Sequence, residues 1–414
     1  MTTQPFWHGF SERTPAGAHG HPLPFALVGG AETLIGHGER AALDKGPLET
    51  LSERVARFFE DQAEGPDVLV GAVPFSRDES AHLVQPRQVM RIQGRFDPHD
   101  VLELSSVRDR TPQTSGQCRI AGEPDADGYA HSVDAGLEAI ASSAGALRKI
   151  VLSRSLVVRA EHPFDLRMLF ARLAGDESIT TFAAPLPARD GAPRTLIGAT
   201  PELLVEKRGL RVLSHPLAGS APRRTDKGAD EASAKALMAS GKDHREHALV
   251  VEAILDTLAP FCRDLATPEG TCLRATASLW HLGTRIEGRL KDAAISSADL
   301  VAALHPTPAV CGEPRAEAAA AIDRLEGYDR DFYAGAVGWC NAAGDGRWSV
   351  SIRCAEICGR TARLYAGAGI VPGSDPASET NETSVKFKAM LAALGIAEPG
   401  RGPERREGQG EAAR

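Results

Sequence analysis

The sequence predicts a mixed α/β chain of the α+β kind, with strands paired antiparallel. Strand-like runs follow one another directly near both ends of the chain, where a regular βαβ repeat would alternate them with helices. The composition, 42% hydrophobic and 25% charged, is that of a soluble globular protein. At 414 residues the chain can bury a large core, and its length fits one oversized domain or two or three ordinary ones.

Residues 1–50 are rich in Gly, Pro and His and only weakly periodic. SERVARFFEDQA (52–63) then reads as a short amphipathic helix and VLVGAVPF (68–75) as a buried strand. Residues 76–125 mix short strands with turn residues, and denser patterning starts near 128. From there the pattern gives a helix over about 129–146, the strand KIVLSRSLVVRA (149–160) and a helix over 164–174. Strands follow at TTFAAP, TLIGATPELLVEKRG and LRVLSHPLAG, then one long helix over 229–259, a strand near 272–283, and helices near 296–304 and 314–325. AGAVGWCNA, RWSVSIRCAEIC and ARLYAGAGI read as strands, and a closing helix spans 376–394. The tail 395–414, dense in Gly, Pro and charge with almost nothing to bury, is expected to be disordered.

Charge and cysteine content exclude several classes. The net charge of -8 leaves no electrostatic footprint for nucleic acid or an anionic membrane, so an anionic ligand would need local cations. No run of about 18 apolar residues could span a bilayer. The N-terminus lacks the basic start and apolar stretch of a secretory signal, and the expected location is the cytoplasm. Seven cysteines, an odd number without a CxxC, suit reduced thiols better than disulfides or a zinc site.

Candidate chemistry lies in a few charged positions set against apolar patterns. In the closing helix, Phe387, Met390, Leu391 and Leu394 form the buried stripe, and Glu379, Glu382 and Lys386 border it. Alone, that edge reads as an ordinary i,i+4 ion pair worth about 0.2–0.5 kcal/mol. Asp243 and Glu246 form a second i,i+3 acid pair that runs into the apolar positions Val250 and Ala253. Two such pairs could face each other across a hard divalent ion such as Mg²⁺, although a solvated charge run is the competing reading. His244 and His247 match neither HExxH nor HxxEH. Gly367, Gly369 and Gly373 are spaced GxGxxxG, outside the dinucleotide fingerprint, and offer a glycine loop for a carboxylate or simply a turn. Strand alternation makes Arg353 a lone mid-strand cation suited to a carboxylate or to a structural pair. Lys149 and Glu202 sit against apolar strands; if buried, they gain the pKa shifts a base and an acid need near neutrality.

KIVLSR, IGATPELL, PLAGSAPR, KDHREH, LWHLGT, LHPTPAVCG, YDRDFYAGAVGW, SIRCAEI and AGAGIVPGSDPASETNET followed by Lys386 stand in the order seen in the chorismate-utilising enzymes, and the chain resembles that family over about 128–394. Residues 1–127 match only in length and position and are expected to form the N-terminal part of the same large domain. The resemblance implies two packed antiparallel sheets with helices outside. It also implies Mg²⁺ on Glu246 and Glu382, supported by Asp243 and Glu379, and substrate held near Gly219, His281, Ala309, Tyr333, Arg353, Gly367 and Lys386.

Within the family, ammonia-using members lack a lysine at the position of Lys149, and aminodeoxychorismate synthases carry one at the position of Ala218. Salicylate synthases carry threonine where Ala309 stands. The resemblance therefore implies an isochorismate synthase, an isomerase in which Lys149 activates water for attack at C2 and Glu202 protonates the leaving C4 hydroxyl. A siderophore pathway is expected, with salicylate synthase or a menaquinone-pathway enzyme as alternatives. A monomer with no glutaminase subunit is expected.

Overall fold

The computed structural model describes residues 23–29, 32–62, 64–94 and 116–396. Among them every strand pair is antiparallel, and the strands form two large sheets and one small one. The first sheet runs Gly312–Glu313, Lys149–Ala160, Thr361–Ile370, Cys354–Cys358, Ala192–Thr200, Thr180–Arg189, Phe25–Val28, Glu32–His37 and Gln88–Gln93. Cys118–Glu123 pairs with the far half of Lys149–Ala160. The second sheet runs Cys262–Ala266, Ile286–Leu290, Arg211–His215, Leu203–Arg208, Gly346–Val350, Ala336–Asn341, Val68–Val73, His82–Gln85 and Ala41–Ala42. Leu217–Pro222, Leu279–Thr284 and Thr271–Ala275 make the third sheet, an addition to the expected pair.

Side-chain alternation decides which face of the first sheet meets which partner. Phe25, Leu27, Phe182, Ala184 and Leu196 point into a core shared with Val68, Leu69, Val70, Val205 and Trp339 of the second sheet. Their neighbours Ala26, Val28, Ala183 and Ile197 point the other way, where Leu169, Phe170, Phe387 and Met390 of helices Leu166–Leu173 and Pro376–Ala393 cover them. Helices Ala126–Ser142, Gly241–Leu258, Ser297–Leu304 and Arg315–Leu325 insert Tyr129, Val250, Leu300 and Ile322 into the shared core. The hairpin formed by the first two strands uses residues of the weakly periodic start.

Several long segments prove to be two elements. TLIGATPELLVEKRG divides at Pro201 and Glu202, its first half in the first sheet and its second half in the second. LRVLSHPLAG divides at Pro216, between the second sheet and the third. Proline lacks the N–H that a central strand must donate, so each break falls at one. RWSVSIRCAEIC divides at Ser351–Arg353, where Arg353 takes a left-handed φ of 52°. Arg353 is thus a corner residue and not a mid-strand one. The strand expected near 272–283 is a hairpin.

The long helix expected over 229–259 is two, Lys227–Ala239 and Gly241–Leu258. Ser240 between them is extended (ψ 105°), and its hydroxyl accepts the Asp243 N–H as the second helix's N-cap. The closing helix starts as expected, with Pro376 first and the Asp375 side chain accepting the Ser378 N–H. It ends with Gly395 N–H donating to Ala392 O and Ile396 N–H to Leu391 O. Ile396 packs on the core, so the folded part extends two residues into the expected tail; the rest of that tail lies outside the described residues. Ser240→Ala is expected to lower unfolding stability by about 1 kcal/mol, read as a smaller urea midpoint with an unchanged m-value.

Candidate active site

The three strand breaks surround one cavity. Glu202 lies in the first break, Arg353 in the third, and Gly219 is the third residue of the strand that follows Pro216. Backbone bonds cross between the breaks: Val350 N–H donates to Glu202 O and Ala199 N–H to Arg353 O. Gly219, His281, Ala309, Tyr333, Gly367, Lys386, Glu246 and Glu382 complete the sequence-derived residues on the wall. The space between these residues, open solvent included, is about 690 Å³.

Lys149 opens its strand fully buried (0% exposed), with Nζ 3.1 Å from Glu246 Oε1 and no well-directed hydrogen bond. Glu202 is 4% exposed; burial lifts its carboxyl to about 8 despite the opposing pull of Lys149. Both are interior groups, not the strand-end surface charges each suggests when read alone. Burial lowers Arg353 to about 10, still cationic at neutral pH. Among the described residues its guanidinium has no hydrogen-bond or ion-pair partner. Burial, with Arg353 and Lys386 nearby, lowers His281 to about 3, so the ring is neutral. Its Nδ1 lies 3.3 Å from Gly219 O, which can only accept, so Nδ1 carries the proton and the unpartnered Nε2 is an acceptor.

Gly367 and Gly369 belong to strand Thr361–Ile370 and not to the expected glycine loop or turn, where only Gly373 lies. What matters at Gly369 is the missing side chain: a Cβ there would overlap Glu246 Oε1 and approach Lys149 Cε at 3.1 Å. Gly219 (φ 71°) is left-handed, and a Cβ would sit 2.9 Å from Asp243 Cβ. Asp243 therefore stands behind Gly219, outside the cavity wall, as does Glu379.

The acids carry lysines. Lys386 Nζ lies 2.6 Å from Glu382 Oε1 and 2.8 Å from Gly367 O, and Lys242 pairs with Glu379. Burial pushes Glu382 up, but the Lys386 ammonium outweighs it and the carboxyl is lowered. Glu379 is raised by burial and by Glu382 beside it. Lys242 is raised, against burial, by Glu379, Glu246 and Glu382 together. Three carboxylates thus surround one ammonium, a hard-oxygen donor set that fits a divalent cation such as Mg²⁺. Among the described residues no three acids, histidines or cysteines already converge at metal-binding distance, so a cation would have to replace lysine contacts.

The sequence reading missed several neighbours. Ser220 Oγ donates to Glu382 Oε1 at 3.1 Å, and Tyr365 stacks on Tyr333 with ring centres 4.7 Å apart and planes 7° off parallel. Tyr365 alternates with Gly367 and Gly369 on one strand face, a period-2 signal that could have placed it. Lys242 lies four residues before Glu246 on one helix face. A second recess shares Pro201, His281, Arg353, Tyr365 and Lys386 with the cavity and is otherwise largely apolar, with Leu173, Ile179, Phe387 and Met390.

An antiparallel α+β fold with a buried acid and a guanidinium unpaired among the described residues on one cavity wall, and a buried lysine behind the lining residues Glu246 and Gly369, defines an enzyme for a small anionic substrate. The chorismate binding enzyme family matches residues 82–395, and the chain belongs to that family. Isochorismate synthase DhbC of Bacillus subtilis is 44% identical over 357 residues, covering 84% of this chain and 87% of that protein. The crystal structure of a putative 2,3-dihydroxybenzoate-specific isochorismate synthase, DhbC from Bacillus anthracis, superposes with a TM-score of 0.83 at 40% identity, covering 90% of this chain and 96% of that one. MenF, the menaquinone-specific isochorismate synthase from Escherichia coli, gives 0.75 at 26% identity, covering 90% and 89%. No described helix is long and apolar enough to cross a membrane.

Gly369→Ala is expected to push the Glu246 carboxylate off Lys149 and to cut kcat by about 100-fold or more while the chain stays folded. Steady-state kinetics beside a thermal melt check it; wild-type turnover in a folded variant would show the close approach to be incidental.

Proposed function

We propose that this protein is an isochorismate synthase. The observation that carries the reading is the cavity-lining Arg353 guanidinium, unpaired among the described residues, with buried Glu202 on the same wall and buried Lys149 behind the lining residues Glu246 and Gly369. A half-buried guanidinium that faces a cavity, with carboxylates near but none bonded to it among the described residues, keeps its fork of donors free for a ligand carboxylate. The substrate we assign is chorismate, a dianion, with Arg353 and Lys386 holding its side-chain carboxylate. A divalent cation on Glu246 and Glu382, backed by Asp243 and Glu379, would supply positive charge for the ring carboxylate.

Lys149 accepts a proton from water as the water oxygen bonds to C2. The ring double bonds shift, the C4–O bond breaks, and Glu202 gives its proton to the departing hydroxyl, which leaves as water. One water enters and one leaves, so atoms balance. Lys149 and Glu202 then return to their starting states by a net proton transfer from the first to the second. His281 Nε2, an acceptor, suits the C4 hydroxyl, and Tyr333, Gly219, Gly367 and Ala309 shape the walls.

The names borne by the relatives support this activity. The methyl of Ala309 offers no hydroxyl for a further elimination to salicylate, and Ala218 offers no nucleophile for a ring adduct. The 2,3-dihydroxybenzoate-specific relative, with the higher TM-score and identity, favours the catecholate siderophore branch over menaquinone. Seven free cysteines support a reducing compartment such as the cytoplasm. Presence of Lys149 supports water rather than ammonia as nucleophile, without a glutaminase partner.

Purified protein given chorismate and Mg²⁺ without ammonia is expected to release isochorismate. Salicylate plus pyruvate, or no product, would overturn the assignment. Lys149→Ala should abolish turnover while chorismate binding stays measurable by calorimetry. The Glu202 carboxyl, raised from 4.5 to about 8, holds its proton at neutral pH. Because the protonated form acts, kcat should fall as pH rises through about 8. The same shift makes this group's contribution to stability decline with rising pH between those values, since the unfolded chain sheds the proton first. Glu246→Gln and Glu382→Gln should each weaken Mg²⁺ binding, read by titration calorimetry, together with activity; unchanged binding would refute the cation site.

A further inference from the structure

The strand that carries Lys149 has an incomplete edge. One side pairs with Thr361–Ile370 along its length. On the other, Gly312–Glu313 pairs only with Lys149 and Ile150, and Cys118–Glu123 takes over at Ser155. In between, Val151 N–H still donates to Cys311 O at 2.7 Å, but among the described residues no strand partners Val151 O or Ser153 N–H. Such groups, buried, must find partners.

Side chains take the place of the missing strand. Ser153 N–H and Oγ–H both donate to Glu326 Oε1, at 2.6 and 2.9 Å. Arg330 Nη2 donates to Val151 O at 2.7 Å and to Glu326 Oε1 at 2.6 Å, and Nε donates to Glu326 Oε2 at 2.8 Å. Arg330 Nη1 reaches across to Val310 O at 2.8 Å, next to Ala309 of the cavity wall. Both side chains are only 2% exposed. Arg330 N and O lie three residues before Tyr333, whose N–H donates to Arg330 O at 2.8 Å. One ion pair thus joins the lysine strand, the Ala309 wall and the turn that carries Tyr333.

A buried ion pair is poor value as a stabiliser, because desolvation offsets its attraction and apolar replacements of equal volume are often as stable or more so. Specific geometry is what it provides. We propose that Glu326 and Arg330 are positioning residues that stand in for a strand and fix the height of Lys149 against the Ala309–Tyr333 wall. The role in turnover rests on the isochorismate synthase reading, whereas the clamp itself does not.

Two variants test it. Arg330→Lys keeps the charge but cannot bond Val151 O, Val310 O and Glu326 at once. Glu326→Leu/Arg330→Met replaces the pair with apolar side chains. Both are expected to lose about 100-fold in kcat with KM for chorismate changed by less than about threefold, since a displacement of about 1 Å costs that much. Amide exchange followed by mass spectrometry should accelerate in peptides covering 150–153 and 309–311, with the rest of the fold unchanged. Wild-type kcat in the folded apolar variant would overturn the proposal. So would a kcat loss matched only by a lower melting temperature, with exchange in those peptides unaltered. If the apolar variant does not fold, the lysine variant's kcat and local exchange decide. Should the wild type make no isochorismate, the functional reading fails, and the exchange result still judges the clamp.

Discussion

Three strands that change sheets create the cavity, and the rest of the site depends on them. At Pro201–Glu202, at Pro216 and at Ser351–Arg353 the chain leaves one sheet for another, and the main-chain ladder cannot continue through any of these points. Backbone polar groups and side chains at such breaks turn toward the gap between sheets. That is how a carboxyl and a guanidinium reach the interior of an otherwise apolar sandwich. The crossing bonds Val350 to Glu202 and Ala199 to Arg353 hold the two corners against each other.

Around this gap, burial and charge act on the same groups in opposite senses. Among the described residues Glu202 has no direct ion pair, and it keeps its proton, whereas Glu382, bonded by Lys386 and Ser220, is held ionised. Two glutamates of one cavity are thereby set to different protonation states by their neighbours alone, as acid and charge-bearing ligand require. The lysines do double duty: they neutralise the acids in the empty protein and leave carboxylate oxygens in place for other cations.

Much of this was legible in the sequence, and the failures have physical causes. The buried stripe Phe387, Met390, Leu391 and Leu394 and the Asp375–Pro376 start were readable because both depend on local periodicity and capping. The strand breaks were not, since the alternation Trp348, Val350, Ile352, Cys354 continues unbroken through a corner that only Arg353's left-handed backbone reveals. Burial of Lys149 was invisible for a related reason: a lysine opening a strand reads as a surface end unless its long-range partner Glu246 is known. Spacing and alternation singled out the carboxylate pairs, Arg353, Lys149 and Glu202 but left a solvated charge run or surface charge as the competing reading, and only the resemblance to a family attached roles to them. Lys242, Ser220 and the Glu326–Arg330 pair escaped because their partners lie far away in the chain.

The stacked pairing of acids with bases has one more consequence, for how a ligand arrives. With Glu202 protonated and Lys149 set aside as the base of the proposed reaction, Glu246, Glu379 and Glu382 are matched one for one by Lys242, Lys386 and Arg353, so no large excess of positive charge surrounds the cavity. The surface around it belongs to a chain of net charge -8. Long-range attraction therefore contributes little to capture of a dianion, and ionic strength has little to screen. Selectivity for an anion is then left to short-range contacts, those of Arg353 and Lys386, which line both the cavity and the apolar recess beside it.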